Sequence, residues 1–356
     1  MAKVAKSKAK VKSKARTLKT KPAVKTLGGA KGAAKPAARI VRPIYLTEED
    51  VCRLVSVKDA IAALEDLFAT WSDPATVNLP RRRARAGTAD LNLMGAAWGA
   101  KGVFGLKAYH ISATAGSSHV LLYAANDSRL LAMIESDHLG RMRTGAASGL
   151  ATRLLAKPDA RRLGVIGAGR QAFTQVAAVC AVRNIVDVHV FSPTPEHRDA
   201  FVRRIKSELR VSAKPAPSAE AAVSDADIVI TITKSADPVL RANWLKSGVH
   251  VNAAGANAAA RREIDAETVL RATVRATDHV AQAREEAAEY RDVVAAGRLK
   301  WQDIVELGDI ATGKVPGRHG PADITLFKSL GIGLEDIAFA DLIIGRAIER
   351  GLGRPL

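Results

Sequence analysis

Only two cysteines, Cys52 and Cys180, occur in 356 residues, far apart and both in stretches of helical pattern. Such a pair offers neither a disulfide framework nor metal-ligand spacing, and it fits a reducing cytoplasm. His110, His119, His138, His250 and His279 are scattered without the spacing of a metal site. No apolar run approaches the roughly twenty residues that span a bilayer, and the N-terminus lacks the apolar centre of a secretory signal, so neither a membrane protein nor a secreted one is expected. Acidic residues are missing altogether from residues 1–39, which hold eleven lysines and two arginines of a chain whose net charge is +18. That stretch, rich in Lys, Ala, Pro and Gly, has too little apolar surface to offset its ordering entropy and reads as a disordered tail. It lacks the arginine-rich amphipathic pattern of a transit peptide. A solvated extension is its simpler reading; nonspecific contact with a polyanion through counterion release is the functional one.

The whole chain is 47% apolar, and what remains beyond the tail is long enough for two domains with real cores. Tyr45-Leu46 followed by Thr47-Glu48-Glu49-Asp50 predicts a short strand feeding a capped helix, and Ser56 to Trp71 has helical periodicity. Strand patterns follow at Asp90–Met94, Val103–Tyr109, Val120–Ala124 and Leu130–Ile134, which suggests an α+β unit. An Ala-rich helix over Thr144–Leu155 ends at Lys157-Pro158-Asp159, where a domain boundary is expected.

The stretch Arg162-Leu163-Gly164-Val165-Ile166 then runs into Gly167-Ala168-Gly169-Arg170-Gln171-Ala172 and a helical pattern. Gly167 lets the turn tighten, Gly169 leaves room for a pyrophosphate against the backbone, and Ala172 lets helix and strand pack closely. The phosphates would meet the free N–H groups at the helix start. A second strand, Asp187–Phe191, ends where the ribose-reading residue of a dinucleotide site belongs. No acid stands there: Ser192-Pro193-Thr194-Pro195-Glu196-His197-Arg198 follows, and the hydroxyls of Ser192 and Thr194 with Arg198 suit a 2′-phosphate. NADP(H) is therefore the expected cofactor, with NAD(H) possible. Further strands at 227–233, 249–252 and 274–277 complete a doubly wound pattern. Their carboxyl ends mark Thr231, Thr233, Asn252 and Gly255 as neighbours of the cofactor. The last helical stretch, Gly333–Arg350, has no strand after it and is expected to fold back on the first domain. The run Glu285-Glu286-Ala287-Ala288-Glu289 reads as a solvated helix face.

From about Tyr45 to Arg350 the chain resembles the ornithine cyclodeaminase and mu-crystallin family of nicotinamide-dependent enzymes. The carriers are Pro80-Arg81-Arg82, Gly105-Leu106-Lys107, Arg143-Thr144-Gly145-Ala146-Ala147, the glycine turn, Thr231-Ile232-Thr233, Val251 to Asn257, and Ile324 to Ser329. The resemblance implies an α/β fold in which a Rossmann-type domain (157–324) is inserted into an α+β substrate and dimerisation domain (40–156 plus 325–356), behind the tail (1–39), and it implies a homodimer. Its motifs place substrate-binding side chains at Arg82, Lys107 and Arg143, and cofactor contacts at Thr144, Arg170, Gln171 and Ser329 beside the residues already named. Two guanidinium forks can hold a planar carboxylate. A lysine desolvated between them would hold its proton less tightly and could serve an imine nitrogen. Arg83 is one register step from Arg82, and His110 is a minor candidate for proton transfer.

One motif departs from the family. Members that make proline from ornithine carry an acid where this chain has Asn257, and an amide cannot accept the proton that ring closure releases. Either another acid such as Asp323 substitutes, or cyclisation is absent. The leading expectation is thus an NADP(H)-dependent imino acid reductase or amino acid dehydrogenase in which Lys107 and Asn257 occupy the catalytic positions. Ornithine cyclodeaminase and a non-catalytic dinucleotide binder are the alternatives.

Overall fold

Helix starts are set locally. Thr47 and Ser56 each accept a hydrogen bond from the third residue of the following helix while Asp50 and Asp59 reach back to them, closing capping boxes. These begin α1 (Glu48–Leu54) and α2 (Val57–Ala69), as the sequence pattern requires. The structure, a computed structural model, describes residues 42–111 and 116–356. The tail expected over 1–39 lies outside the described residues.

Seven strands occupy the first half: β1 (Ile44–Leu46), β2 (Thr76–Asn78), β3 (Arg82–Ala86), β4 (Ala89–Trp98), β5 (Val103–Ile111), β6 (Gly116–Ala124) and β7 (Leu130–Glu135). The second half contributes β8 (Arg162–Ile166), β9 (Asp187–Phe191), β10 (Ser212–Pro215), β11 (Ile228–Thr231), β12 (His250–Ala253), β13 (Val274–Thr277), β14 (Val305–Glu306), β15 (Thr325–Lys328) and β16 (Arg354–Pro355). They form two sheets. The first runs β16-β1-β7-β6-β5-β4-β2, with β3 also paired to β4. The second is parallel throughout and runs β10-β9-β8-β11-β12-β15-β13-β14. Strand order reverses between β8 and β11, the switch point at which open α/β sheets take ligands.

Strand β15 lies between β12 and β13 in the second sheet, whereas the boundary expected at 324/325 assigns it to the first domain. The parallel ladders to both neighbours decide its place, and the pattern of a four-residue strand could not. The last helix, Gly333–Arg350, starts directly after that strand and buries Ile337, Phe339, Ile343 and Ile344 in the core under the first sheet, together with Leu64, Phe68, Val120 and Ile134. Between the sheets runs α3 (Asp137–Leu155), longer than the Ala-rich stretch alone suggests, because Asp137 to Arg143 add two turns in front of it. The following helices are α4 (Ala172–Val182) and α5 (Pro195–Arg204). The Thr144 carbonyl accepts a hydrogen bond from Gln175 Nε2 of α4 at 3.0 Å, and Thr152 Oγ1 accepts one from Asn252 Nδ2 of β12 at 2.9 Å. Asn252 is therefore turned beneath the sheet toward α3, a packing contact, and not toward the cofactor side that its strand-end position suggested. Among the described residues no helix is long and apolar enough to cross a membrane, and no group of side chains could hold a metal ion.

Candidate active site

Two features expected separately, a cationic cluster and a glycine turn, both border α3: Arg143 lies on it and Arg170 of the turn pairs with its Asp137. On β5 the pleat puts Lys107 in line with Met94, Val120 and Ile134 of the neighbouring strands, so its stem enters the core. Lys107 is only 5% exposed and Arg143 7%. A charge sealed in this way needs partners, and both find the same one. Asp336, in the first turn of the last helix, accepts from Lys107 Nζ at 2.9 Å and from Arg143 Nε at 2.9 Å and Nη2 at 3.3 Å. Arg143 Nη1 donates to Thr144 Oγ1 at 2.9 Å and to Glu335 Oε2 at 3.3 Å. Burial is the main influence lowering the Lys107 pKa; Asp336 opposes it, and Arg143 and Arg81 add to the lowering. Burial also works against the charge on Arg143, yet Asp336 and Glu335 hold its pKa above the ordinary guanidinium value.

The third cation is not the one expected. Arg82 points away, 69% exposed at its side chain and paired with Glu285 at 2.7 Å. Its neighbours alternate to the other face. Arg81 is buried, donating to Glu286 Oε2 at 2.7 Å and to the carbonyls of Leu330 and Gly331 at 2.9 Å each. Arg83 pairs with Glu286 at 2.6 Å and donates to the Asn257 carbonyl at 2.8 Å. Asn257 thus meets the arginine run through its backbone. The run Glu285–Glu289 is correspondingly not a solvated face: Glu286 and Glu289 are buried, the latter paired with Lys328 at 3.1 Å. Replacing Arg82 by alanine should shift stability by no more than about 1 kcal/mol. Replacing Arg81 strands part of the Glu286 charge and should cost about 3–5 kcal/mol. Urea unfolding of the two variants checks the assignment, which fails if the costs are equal.

Other candidates are placed elsewhere. His110, three residues on from Lys107, lies on the opposite face of β5 and bonds Ser117. Asp323 accepts the amides of His319 and Gly320 just before β15 begins, at the end of the strand away from the site, so it does not replace the acid missing at Asn257.

The glycine turn is open on one side. Gly167 has φ +114, and a Cβ there would run into the Ile232 carbonyl; a Cβ on Gly169 would meet nothing within 4 Å. Open space therefore lies over that backbone. Ala172 N–H donates to the Gly169 carbonyl at 3.0 Å, but Gln171, at the start of α4, makes no side-chain cap, so the N–H groups that follow in the first turn can face an anion. A cavity of about 430 Å³ adjoins, lined by Gly169, Arg170, Phe173, His197 and Arg204 among others. Ala172 is buried where α4 meets β8. Ser192 is buried at the end of β9 and Thr194 precedes α5. Arg198 is held by Asp199 at 2.9 Å and Arg170 pairs with Asp137. At the strand ends, Thr231 Oγ1 is buried without a partner. The amides of Thr233 and Gly255 both donate to Glu263, at 2.6 Å each. Ser329 Oγ lies 3.4 Å from Asp278.

Sequence reasoning missed the acids: Glu263, Asp278, Glu286, Glu335 and Asp336 are all buried here. Glu335-Asp336 at a helix start looks like ordinary dipole compensation, and the one usable signal was their place just after the Ile324–Ser329 motif.

Comparison with known proteins places this arrangement. The sequence profile of the ornithine cyclodeaminase/mu-crystallin family matches residues 41–351. A Δ1-pyrroline-2-carboxylate reductase of Bacillus cereus is 38% identical over 224 residues, 63% of this chain and 69% of that protein. The fold matches the Thermococcus litoralis Δ1-pyrroline-2-carboxylate reductase in complex with NADH and L-proline, with TM-score 0.84 and 29% identity, over 88% of this chain and 100% of that one. An archaeal alanine dehydrogenase dimer with bound NAD matches with TM-score 0.83 and 27% identity, over 89% of this chain and 99% of that one.

Proposed function

The chain belongs to the ornithine cyclodeaminase/mu-crystallin family, and on that premise we propose that it is a nicotinamide-dependent imino acid reductase or amino acid dehydrogenase. The observation that carries this reading is the buried Lys107–Asp336–Arg143 ion cluster beside an open dinucleotide turn; the relatives that reduce a cyclic imino acid or act on alanine support it. Bound at the turn, the nicotinamide would supply or accept the hydride at the α-carbon of the substrate. The chain does the rest. Arg143 and Lys107 hold the acid headgroup, with Arg81 replacing Arg82 as the nearby third cation, and hold it in one orientation. Lys107 Nζ gives a proton to the imine nitrogen in reduction, which its lowered pKa favours. Asn257, lacking a carboxylate, leaves ornithine cyclisation without its base.

NADP(H) is the proposed coenzyme. Ser192 stands in place of a ribose-binding acid, and Arg170, His197 and Arg204 give the adjoining cavity a basic lining; the NADH and NAD of the two related structures favour NAD(H) as the second reading. A homodimer is supported by Val77, Leu79, Leu91 and Leu93, which alternate onto one outer face of the first sheet and are exposed. Both cysteines are free, in keeping with a reducing cytoplasm. Assay of cyclic imino acids, of pyruvate with amines and of L-ornithine, with each coenzyme, tests the whole reading on a preparation sized by sedimentation. The expected result is turnover of an imino acid, kcat/KM at least tenfold higher with NADPH, no proline from ornithine, and a dimer. Tight NADPH binding without turnover of any substrate would make it a binding protein instead.

A further inference from the structure

The charges around Arg143 do not balance. Beside Arg81, which is matched by Glu286, two further cations, Lys107 and Arg143, share their sealed space with three carboxyls. Asp336 takes both cations. Among the cations, Glu335 pairs with Arg143 alone, through Oε2, and its Oε1 has no partner. Asp278 follows β13 and accepts the amides of Leu330 at 2.8 Å and Gly331 at 2.5 Å on Oδ2, while Oδ1 has no partner. Gly331 lies against Arg143 so closely that a Cβ would run into the guanidinium. All three acids are fully buried. An ionised carboxyl with a naked oxygen in such a place is costly, and the usual escape is to carry a proton. The site already holds one acid more than its cations can neutralise. A substrate headgroup would add a further negative charge.

Resting on the reading of the site given above, we propose that Asp278, with Glu335 beside it on Arg143, is a proton-accepting positioning residue that takes up one proton as an anionic headgroup enters beside Arg143. The proton comes from solvent, no bond to carbon is made or broken, and the net charge of the closed site is unchanged by binding. Asp278 acts through Gly331 and Arg143 and touches no reacting atom. Other charged or titratable groups facing it are Arg143 from α3, Glu335 with Asp336 from the last helix, Arg81 with Glu286 on the far side of Leu330 and Gly331, and Tyr290, which bonds the Ala276 carbonyl. Its sequence neighbour His279 is within 3.4 Å of Asn78 through Nδ1. Burial, more than any neighbour, pushes Asp278 up to about 6. Glu335 stands well above the carboxylate range, through burial first and Asp278 second. Glu335 is therefore shifted toward its protonated form, while Asp278 is mostly ionised at pH 7.5 and able to accept.

Titration calorimetry of the full chain with NADP⁺ and pyrrole-2-carboxylate, an anion without a basic nitrogen, reads the uptake directly when repeated in buffers of different ionisation enthalpy. Uptake should approach one proton at pH 7.5 and vanish near pH 5, where Asp278 is already protonated. Above pH 6 affinity should fall up to tenfold per pH unit. Asp278→Asn keeps an oxygen for the two amides and should abolish both the uptake and the pH dependence. Glu335→Gln should retain both. No uptake by the unaltered chain, or uptake persisting in Asp278→Asn, overturns the proposal. Failure of pyrrole-2-carboxylate to bind at any pH while NADPH binds overturns the substrate reading and this inference with it.

Discussion

Replacing Lys107 by methionine should lower kcat/KM for the imino acid about a thousandfold, within the range that a positioned proton donor supplies, while NADPH affinity changes less than twofold. The methionine stem refills the slot between Met94, Val120 and Ile134 on the pleat with little change of volume. Asp336 keeps Arg143 through Nε and Nη2, so the remaining pair stays satisfied and the fold survives. The glycine turn meets α3 through Arg170 and Asp137, and Lys107 bonds Asp336 instead, which is why nucleotide binding should be indifferent to the change. Steady-state kinetics and NADPH fluorescence titration measure the two numbers. A variant that keeps a tenth or more of the rate would remove Lys107 from the chemistry and leave the ion cluster a structural feature only.

Two substitutions in the nucleotide turn should separate from each other by a wide margin. Gly169→Val places its branches in open space, since a Cβ there has no neighbour within 4 Å. The thermal midpoint should therefore move by no more than a few degrees, while dinucleotide affinity falls a hundredfold or more, because the side chain fills the volume over the first-turn amides. Gly167→Ala behaves in the opposite sense. Its φ of +114 is strained for any L side chain, and the methyl runs into the Ile232 carbonyl. Strain of this kind costs about 1–3 kcal/mol, and the unfolding midpoint should drop accordingly before binding is considered. Thermal melts with and without NADPH compare the pair. Unchanged NADPH affinity in Gly169→Val would mean that the phosphates bind somewhere other than this turn.

Elements with strong local pattern were legible: β8, β9 and β13 fall where the apolar runs put them, and Thr47 and Ser56 start their helices. Short strands with weak pattern, such as β10 and β16, were not, because pairing with a neighbour defines them and no local signal does. In the site, Lys107 and Arg143 could be named from motifs because each is a charge in a small or apolar context, where a cation is rarely idle. Arg82 could not be told from Arg81 or Arg83, since three consecutive arginines carry no mark of which face of a strand is inward.

By itself, the amino-acid order determined the glycine turn, the absence of an acid after Phe191 and at Asn257, and the two buried cations, all properties of residue type at a given spacing. Only the tertiary structure decided which arginine turns inward and that Asp278, Glu335 and Asp336 converge on Arg143 from β13 and the last helix. Glu286 and Glu289 likewise changed from a solvated face to buried partners. The physical reason is that a carboxylate in a helical pattern looks the same whether it faces water or a guanidinium. The choice is made by desolvation against a partner some two hundred residues away in sequence, and no local preference encodes it.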